Sequence, residues 1–112
     1  MKFNIKNKVM ETLKNLQVPI YYATNHNATE KEYMVYFVDE IKTNSNSDNE
    51  AESIRYSISL YFYSTGDYDD LVEEALEVLK ANNFKRTVET EYYDSDTDFY
   101  IKVIRLNYIQ YL

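Results

Sequence analysis

The residues best suited to chemistry form a short acidic run near the end of the chain. Residues 94–98 read Asp-Ser-Asp-Thr-Asp, which matches the first three acidic positions of a calcium-binding loop. The sixth position of such a loop is glycine and the twelfth is glutamate, whereas this chain has Phe99 and Arg105 there. We therefore expect no metal site, and we interpret the run as a hairpin turn whose aspartates hydrogen-bond the local backbone.

The other residue types that do chemistry are scarce. His26 is the single histidine, and without a second histidine or a cysteine nearby we interpret it as a solvated turn residue. The absence of cysteine excludes disulfides, zinc–thiolate sites and thiol nucleophiles. One glycine is too few for a Gly-rich phosphate loop. The sequence therefore predicts a protein that is not an enzyme, with no catalytic residue, no cofactor and no bound metal.

The charge balance bears on the choice of partners. Nineteen acidic residues against twelve basic ones give a formal net charge of −7, which argues against binding nucleic acid by neutralising its phosphates. Solubility is the ordinary reason for such an excess. An acidic inhibitor that mimics DNA is the alternative, and it needs carboxylates spaced like phosphates on one surface.

Membrane attachment is not expected either. The basic residues of segment 1–8 are not followed by the apolar stretch of a signal peptide. No apolar run approaches the ~20 residues that a membrane span needs. We expect a soluble protein with no membrane partner.

The first half of the chain predicts one helix and two strands. Residues 4–17 have apolar side chains on one helical stripe, and Pro19 ends this helix. Residues 20–23 are a short strand candidate. The continuous apolar run from Tyr33 to Val38 is typical of a strand covered on both faces. The polar segment 42–52 follows and is interpreted as a flexible loop.

The second half predicts a strand, a helix and a hairpin. Residues 54–63 alternate apolar with polar, and a helix follows with Asp67 as its N-cap. Residues 84–92 and 99–111 are two further strands. The apolar phase of the last strand shifts at Val103 and Ile104, which indicates either a bulge or burial on both faces.

These elements predict one domain over residues 1–112, because a chain of 112 residues is an ordinary domain length. The expected fold class is α+β, a single mainly antiparallel sheet of four to five strands with two helices packed on one face.

The apolar content of the strands exceeds what two helices can cover. Tyr33–Val38 and the surroundings of Ile104 place apolar residues on both faces of the sheet. Thirteen tyrosines suit half-buried strand faces and subunit contacts, although an AT-rich genome also enriches tyrosine. A neighbouring subunit could cover the remainder, and a monomer with better-covered faces is the alternative.

The second half of the chain resembles the tail-terminator, or tail-completion, proteins of long-tailed (siphovirus-type) bacteriophages and prophages. The resemblance starts with the strand Tyr56–Phe62, the acidic helix Asp67–Leu79 and Phe84. The family pattern Tyr-acidic-x-Asp-Thr-x-x-Tyr-x-Lys is matched at Tyr93, Asp94, Asp96, Thr97, Tyr100 and Lys102. The order of helices, strands and polar loop also matches, so the likeness extends over nearly the whole chain.

The resemblance implies a structural role in virion assembly. Members of this family close the growing tail tube as a ring, typically of six copies, and join it to the head-side connector, so the implied partners are other copies of the chain, the tail tube protein and the connector protein. The implied location is the host bacterial cytoplasm during assembly and then the tail or neck of the virion. Neighbouring head–tail joining (neck) proteins of similar size are the alternative. The resemblance implies no catalytic residue.

The resemblance also gives the polar loop 42–52 a role at the inner or tube-facing surface of the ring. The assembly residues that it implies in this loop are Thr43, Asn44, Asp48, Glu50 and Glu52.

Overall fold

The structure is a computed structural model that describes residues 2–23, 30–45 and 51–112. The elements in chain order are α1 (Ile5–Leu13), β1 (Ile20–Tyr22), β2 (Glu32–Ser45), β3 (Ala51–Ser64), α2 (Asp69–Ala81), β4 (Lys85–Asp94) and β5 (Phe99–Tyr111).

The five strands form one sheet in the order β1-β2-β3-β5-β4. β1 pairs with β2 in parallel, and the other three neighbouring pairs are antiparallel. β3 lies at the centre, because it pairs with β2 on one side and β5 on the other. The α+β class, with a mainly antiparallel sheet and two helices on one face, is confirmed.

Both helices pack on the same face of the sheet. Side chains alternate between the two faces of a strand, and the even-numbered residues of β3 and β5 point toward the helices. The core combines both helices with this face of the strands: Ile5, Val9 and Leu13 of α1, Val72, Ala75 and Leu79 of α2, and Met34, Tyr36, Ile58, Leu60, Phe62, Ile104 and Leu106 of the sheet.

The helix ends show where local sequence signals hold. The Asn4 side chain caps α1 by accepting a hydrogen bond from the Asn7 amide at 3.2 Å. The predicted cap of α2 is wrong by one residue, because Tyr68 is the N-cap and Asp67 accepts a hydrogen bond from the Asp69 amide at 2.9 Å. Tyr68 is buried, and its hydroxyl donates to Glu91 at 2.6 Å. Tertiary contacts therefore fix Tyr68 at the helix start.

The shift in the alternation of apolar residues along β5 reflects burial on both faces of this strand. β5 pairs with β3 in unbroken register from Tyr100 to Tyr111, so the alternative of a bulge at Val103 and Ile104 is wrong. The register shift lies in β4 instead, between Arg86 and Val88. Ile104 is buried on the helix side and Ile101 on the opposite side.

The prediction of a flexible loop over 42–52 is wrong at both ends of the segment. β2 continues to Ser45 and β3 begins at Ala51, with Thr43 paired to Ile54 and Asn44 paired to Ser53. Backbone hydrogen bonds between the strands stabilise these residues. The loop prediction rested on their lack of apolar side chains, which such hydrogen bonds do not need. Residues 46–50 lie outside the described residues.

The long central strands give the molecule an elongated shape of 52 × 25 × 25 Å. Beyond the helices, the ends of β2, β3 and β5 form what we call the arm, residues 41–45, 51–54 and 109–112. Ile41 and Tyr111 of the arm are mostly exposed, at 60% and 79%. Among the described residues, no helix is long and apolar enough to cross a membrane.

Candidate functional site

The sheet face opposite the helices carries a group of aromatic side chains that we call the aromatic face. It combines residues from β1, β2, β3 and the start of β5: Tyr21, Tyr33, Phe37, Tyr61, Tyr63 and Phe99. They share a face because the register places Tyr33 opposite Tyr63 and Val35 opposite Tyr61. Strand pairing therefore converts separate tyrosines of the sequence into one continuous surface.

The rings of the aromatic face contact one another throughout. Tyr33 and Tyr63 stack with centroids 4.6 Å apart and ring planes at 7°. Phe99 meets Tyr33 edge-on at 5.6 Å and Tyr63 at 6.1 Å. Tyr61 extends the network, stacking on Tyr63 at 6.2 Å and meeting Phe37 edge-on at 5.5 Å. Such pairs hold the rings in fixed orientations.

The aromatic face forms a second apolar layer whose rings are buried or half-buried. Val35 and Ile101 are each only 4% exposed, although no described helix covers this side of the sheet. Tyr61 is paired with Val35 and Tyr63 with Ile101 across the strands, and both rings, like that of Phe37, are partly exposed. Contiguous apolar surface on a folded protein is where contact sites are looked for, so we take this face as the candidate site.

Three hydroxyl groups of the aromatic face, those of Tyr21, Tyr33 and Tyr63, have raised pKa values and so are neutral at physiological pH. Burial, together with the neighbouring Tyr33 and other acidic groups, raises the pKa of Tyr63 to about 12. The pKa of Tyr21 is raised by its hydrogen bond to Glu30. The surface is thus apolar and uncharged in its centre, with hydroxyls that can hydrogen-bond a partner.

The other end of the same sheet face is polar. Ser57 donates to Asn107 at 3.3 Å, and Ser59 donates to Asp39. Arg55 pairs with Glu40 at 3.1 Å. The aromatic face is therefore confined to the end of the sheet that contains β1 and the β4–β5 turn.

The acidic run 94–98 forms the predicted turn. One carboxylate oxygen of Asp94 accepts from the Asp96 amide at 3.0 Å, and the other accepts from the Thr97 hydroxyl at 2.9 Å. Asp98 adopts a positive φ of 62° and accepts from the Tyr93 hydroxyl at 2.6 Å. The predicted hairpin turn is confirmed, and Asp94 is the aspartate whose side chain bonds the local backbone.

The remaining residues of the family pattern lie in the same hairpin. Tyr93 and Tyr100 are paired across the strands with ring centroids 4.9 Å apart, and they are 48% and 45% exposed. Lys102 forms an ion pair with Glu89, which also contacts Arg86 at 3.3 Å. Hydrogen bonding to Lys102 lowers the pKa of Glu89. The pattern therefore describes residues that build one hairpin.

Three of the five predicted assembly residues lie in strands and not in a loop. Thr43, Asn44 and Glu52 lie in the strands of the arm, and the Asn44 side chain contacts the Ser53 hydroxyl at 3.4 Å. Asp48 and Glu50 lie outside the described residues, as does His26. At ~3.3 Å per strand residue, Thr43 is roughly 30 Å along β2 from Tyr33, so the arm and the aromatic face are separate surfaces.

Comparison with known proteins gives no identification. No protein-family model matches the chain, and no curated protein matches it. Within the described ranges, no three acidic, histidine or cysteine side chains are grouped so that they could hold a metal ion. The aromatic face is the candidate site that sequence reasoning missed as a unit. The alternation of side chains places Tyr33 and Phe37 on one face of β2, and Tyr61 and Tyr63 on one face of β3. The register that pairs these two strands cannot be read from one sequence.

Proposed function

We propose that this protein is a structural subunit of a phage or prophage tail, which completes the tail tube as an oligomeric ring and joins it to the head-side connector. The observation that carries the proposal is the aromatic face. A sheet with helices on one side only, and six contacting rings on the other, is suited to burial against another protein subunit. The resemblance of the hairpin pattern to tail-completion proteins supplies the kind of assembly.

The arrangement of charge supports an assembly subunit over a DNA mimic. The acidic side chains of α2 are all exposed: Asp69, Asp70, Glu73, Glu74 and Glu77. However, α1 packs on the same face of the sheet and exposes Lys6 and Lys14. A surface that imitates duplex DNA needs an uninterrupted row of negative charge, and this helix layer is mixed in sign.

An acidic subunit also suits a ring around a DNA channel. With a net charge of −7, the surface repels phosphates, so that a duplex can pass without being held.

The test is a complementation experiment with altered aromatic faces. Phe37→Ser combined with Tyr61→Ser removes two rings, and Tyr92→Lys places a charge at the exposed margin beside Tyr63. We expect both proteins to fold, as judged by circular dichroism, and to lose the ability to yield tails joined to heads. The matched control is Val88→Ser, which removes an exposed apolar side chain of β4 that belongs to neither the aromatic face nor the arm.

The outcomes separate an interface from an incidental surface. Loss of tail completion in both aromatic-face proteins but not in the control supports the proposal. Normal completion by the folded Tyr92→Lys protein and by the folded double variant overturns it.

A further inference from the structure

Tyr93 and Tyr100 form a tyrosine pair on the β4–β5 hairpin in which both rings are exposed to solvent. They are direct partners across the two strands, with ring centroids 4.9 Å apart and ring planes inclined at 49°. The rings are 48% and 45% exposed. The strands hold the Cβ atoms of such partners ~5 Å apart, so the two exposed rings meet repeatedly as they rotate.

The Tyr93 hydroxyl has a carboxylate placed to take its proton. It donates a hydrogen bond to Oδ1 of Asp98 at 2.6 Å, which is the length of a charge-assisted O–H···O⁻ bond. This hydrogen bond raises the pKa of Tyr93, so the phenol keeps its proton at physiological pH. Removal of an electron turns a phenol into a strong acid, and the proton then passes to an acceptor at hydrogen-bond distance.

The other tyrosine pairs in the part of the chain that the structure describes lack one of these features. Tyr33 and Tyr63 are closer, at 4.6 Å, but Tyr33 is only 9% exposed. Tyr22 is exposed, but its partner Tyr36 is buried. Three further pairs have centroids 6.2–6.4 Å apart: Tyr21–Tyr33, Tyr56–Tyr108 and Tyr61–Tyr63. A short distance, two exposed rings and a proton acceptor therefore coincide at Tyr93 and Tyr100.

We propose that Tyr93 and Tyr100 are an oxidative modification site, at which a one-electron oxidant of phenols joins the two rings by a carbon–carbon bond to give dityrosine. A haem peroxidase acting with hydrogen peroxide is an oxidant of this class. The inference is independent of the proposed assembly role, because it concerns two residues of a single chain and needs no second subunit.

The reaction is balanced in atoms and electrons. The oxidant removes one electron from each ring, and Tyr93 passes its proton to Asp98 while Tyr100 passes its own to water. The two phenoxyl radicals couple between ring carbons next to the hydroxyls, and each ring becomes aromatic again when the hydrogen on the coupled carbon moves to the oxygen. The product has two fewer hydrogen atoms than the native chain. One hydrogen peroxide takes up the two electrons and two protons and becomes two water molecules.

The test is oxidation of the native chain with a haem peroxidase and a limiting amount of hydrogen peroxide, followed by isolation of the monomer and digestion with trypsin. Trypsin cuts after Arg86 and Lys102, so Tyr93 and Tyr100 lie in one peptide, residues 87–102. We expect dityrosine fluorescence in the monomer and the loss of two hydrogen atoms from this peptide in mass spectrometry. A monomer without dityrosine, or with dityrosine between other tyrosines only, overturns the proposal.

Single substitutions identify the two rings. Tyr93→Phe and Tyr100→Phe each keep the ring and remove one phenol, so both proteins should fold, as judged by circular dichroism, and lose the cross-link within peptide 87–102. The matched control is Tyr92→Phe, because Tyr92 lies in the same peptide, is 47% exposed and is paired with Ile101 on the opposite face of the sheet. This control should keep the native yield. A cross-link that persists in the Tyr93→Phe protein, or disappears in the Tyr92→Phe protein, overturns the assignment.

Asp98→Asn tests the proton acceptor. Asparagine tolerates the positive φ of 62° at this position, and its amide oxygen can still accept the Tyr93 hydrogen bond. Because the amide cannot take up the proton, the initial rate of cross-linking should fall about tenfold, the change expected from the loss of one charge-assisted hydrogen bond. A rate equal to that of the native chain overturns the role of Asp98.

Discussion

At the scale of single residues, the acidic run that first suggests metal chemistry serves the hairpin. The two carboxylate oxygens of Asp94 accept hydrogen bonds from the Asp96 amide and from the Thr97 hydroxyl. The sequence predicted this because an aspartate side chain reaches only the next few residues of its own chain. The N-cap of α2 is Tyr68 and not the predicted Asp67. The Tyr68 hydroxyl donates to Glu91, which is distant in the sequence, and such a contact leaves no signal in the residues around the cap.

The turn makes a prediction about stability. Asp94→Ala should lower the free energy of unfolding by about 1 kcal/mol, because the turn loses both hydrogen bonds to this carboxylate. Urea unfolding measures the change. Ser95→Ala in the same exposed turn is the control and should leave stability within about 0.5 kcal/mol of the native value. Equal stability of the two variants would show that Asp94 does not hold the turn.

At the scale of elements, the sequence predicted the helices and strands better than their lengths. The polar segment after Val38 was interpreted as a loop from its lack of apolar residues, yet β2 and β3 extend into it through backbone pairing. Polarity indicates where a segment is not buried, and it does not indicate whether its backbone is paired.

The aromatic face also belongs to this scale. The sequence predicted apolar residues on both faces of Tyr33–Val38, and this required nothing beyond the run itself. It could not show that Tyr63 and Phe99 converge on Tyr33, because that depends on the register of three strands. The surface was therefore predictable as an excess of apolar residues but not as a site.

Burial of Tyr63 in the aromatic face predicts a loss of stability at alkaline pH. The pKa of Tyr63 is raised to about 12 in the folded chain, above the usual value of 10.0. The unfolded chain therefore loses this proton first, so the contribution of neutral Tyr63 is complete below pH 10 and is lost as the pH rises through 12. Urea unfolding between these limits should show a decline on the order of 1–2 kcal/mol from this group, because solvent around the partly exposed Tyr63 screens part of the effect of the pKa shift.

The control for the alkaline decline is Tyr63→Phe, which keeps the ring and has no proton to lose. Its decline should be shallower than that of the native chain, although not absent, because burial and hydrogen bonding to Glu91 also raise the pKa of Tyr68. Identical pH profiles for the two proteins would mean that Tyr63 ionises as freely in the folded state as in the unfolded one.

At the scale of the whole molecule, the fold separates its surfaces. The aromatic face lies on one side of the sheet, and both helices pack on the other. The arm extends from one end of the 52 Å long axis. The proposed ring requires one copy to contact neighbours of its own kind and other tail proteins at the same time, and surfaces on different sides of the molecule would allow both contacts.

Electron microscopy of particles from cells in which the encoding gene is inactivated tests the assembly role most directly. If the protein completes the tail, tails without it should vary in length and remain unjoined to heads, and expression of the native chain should restore joined particles of uniform length. Uniform tails joined to heads in the absence of the protein would contradict the account.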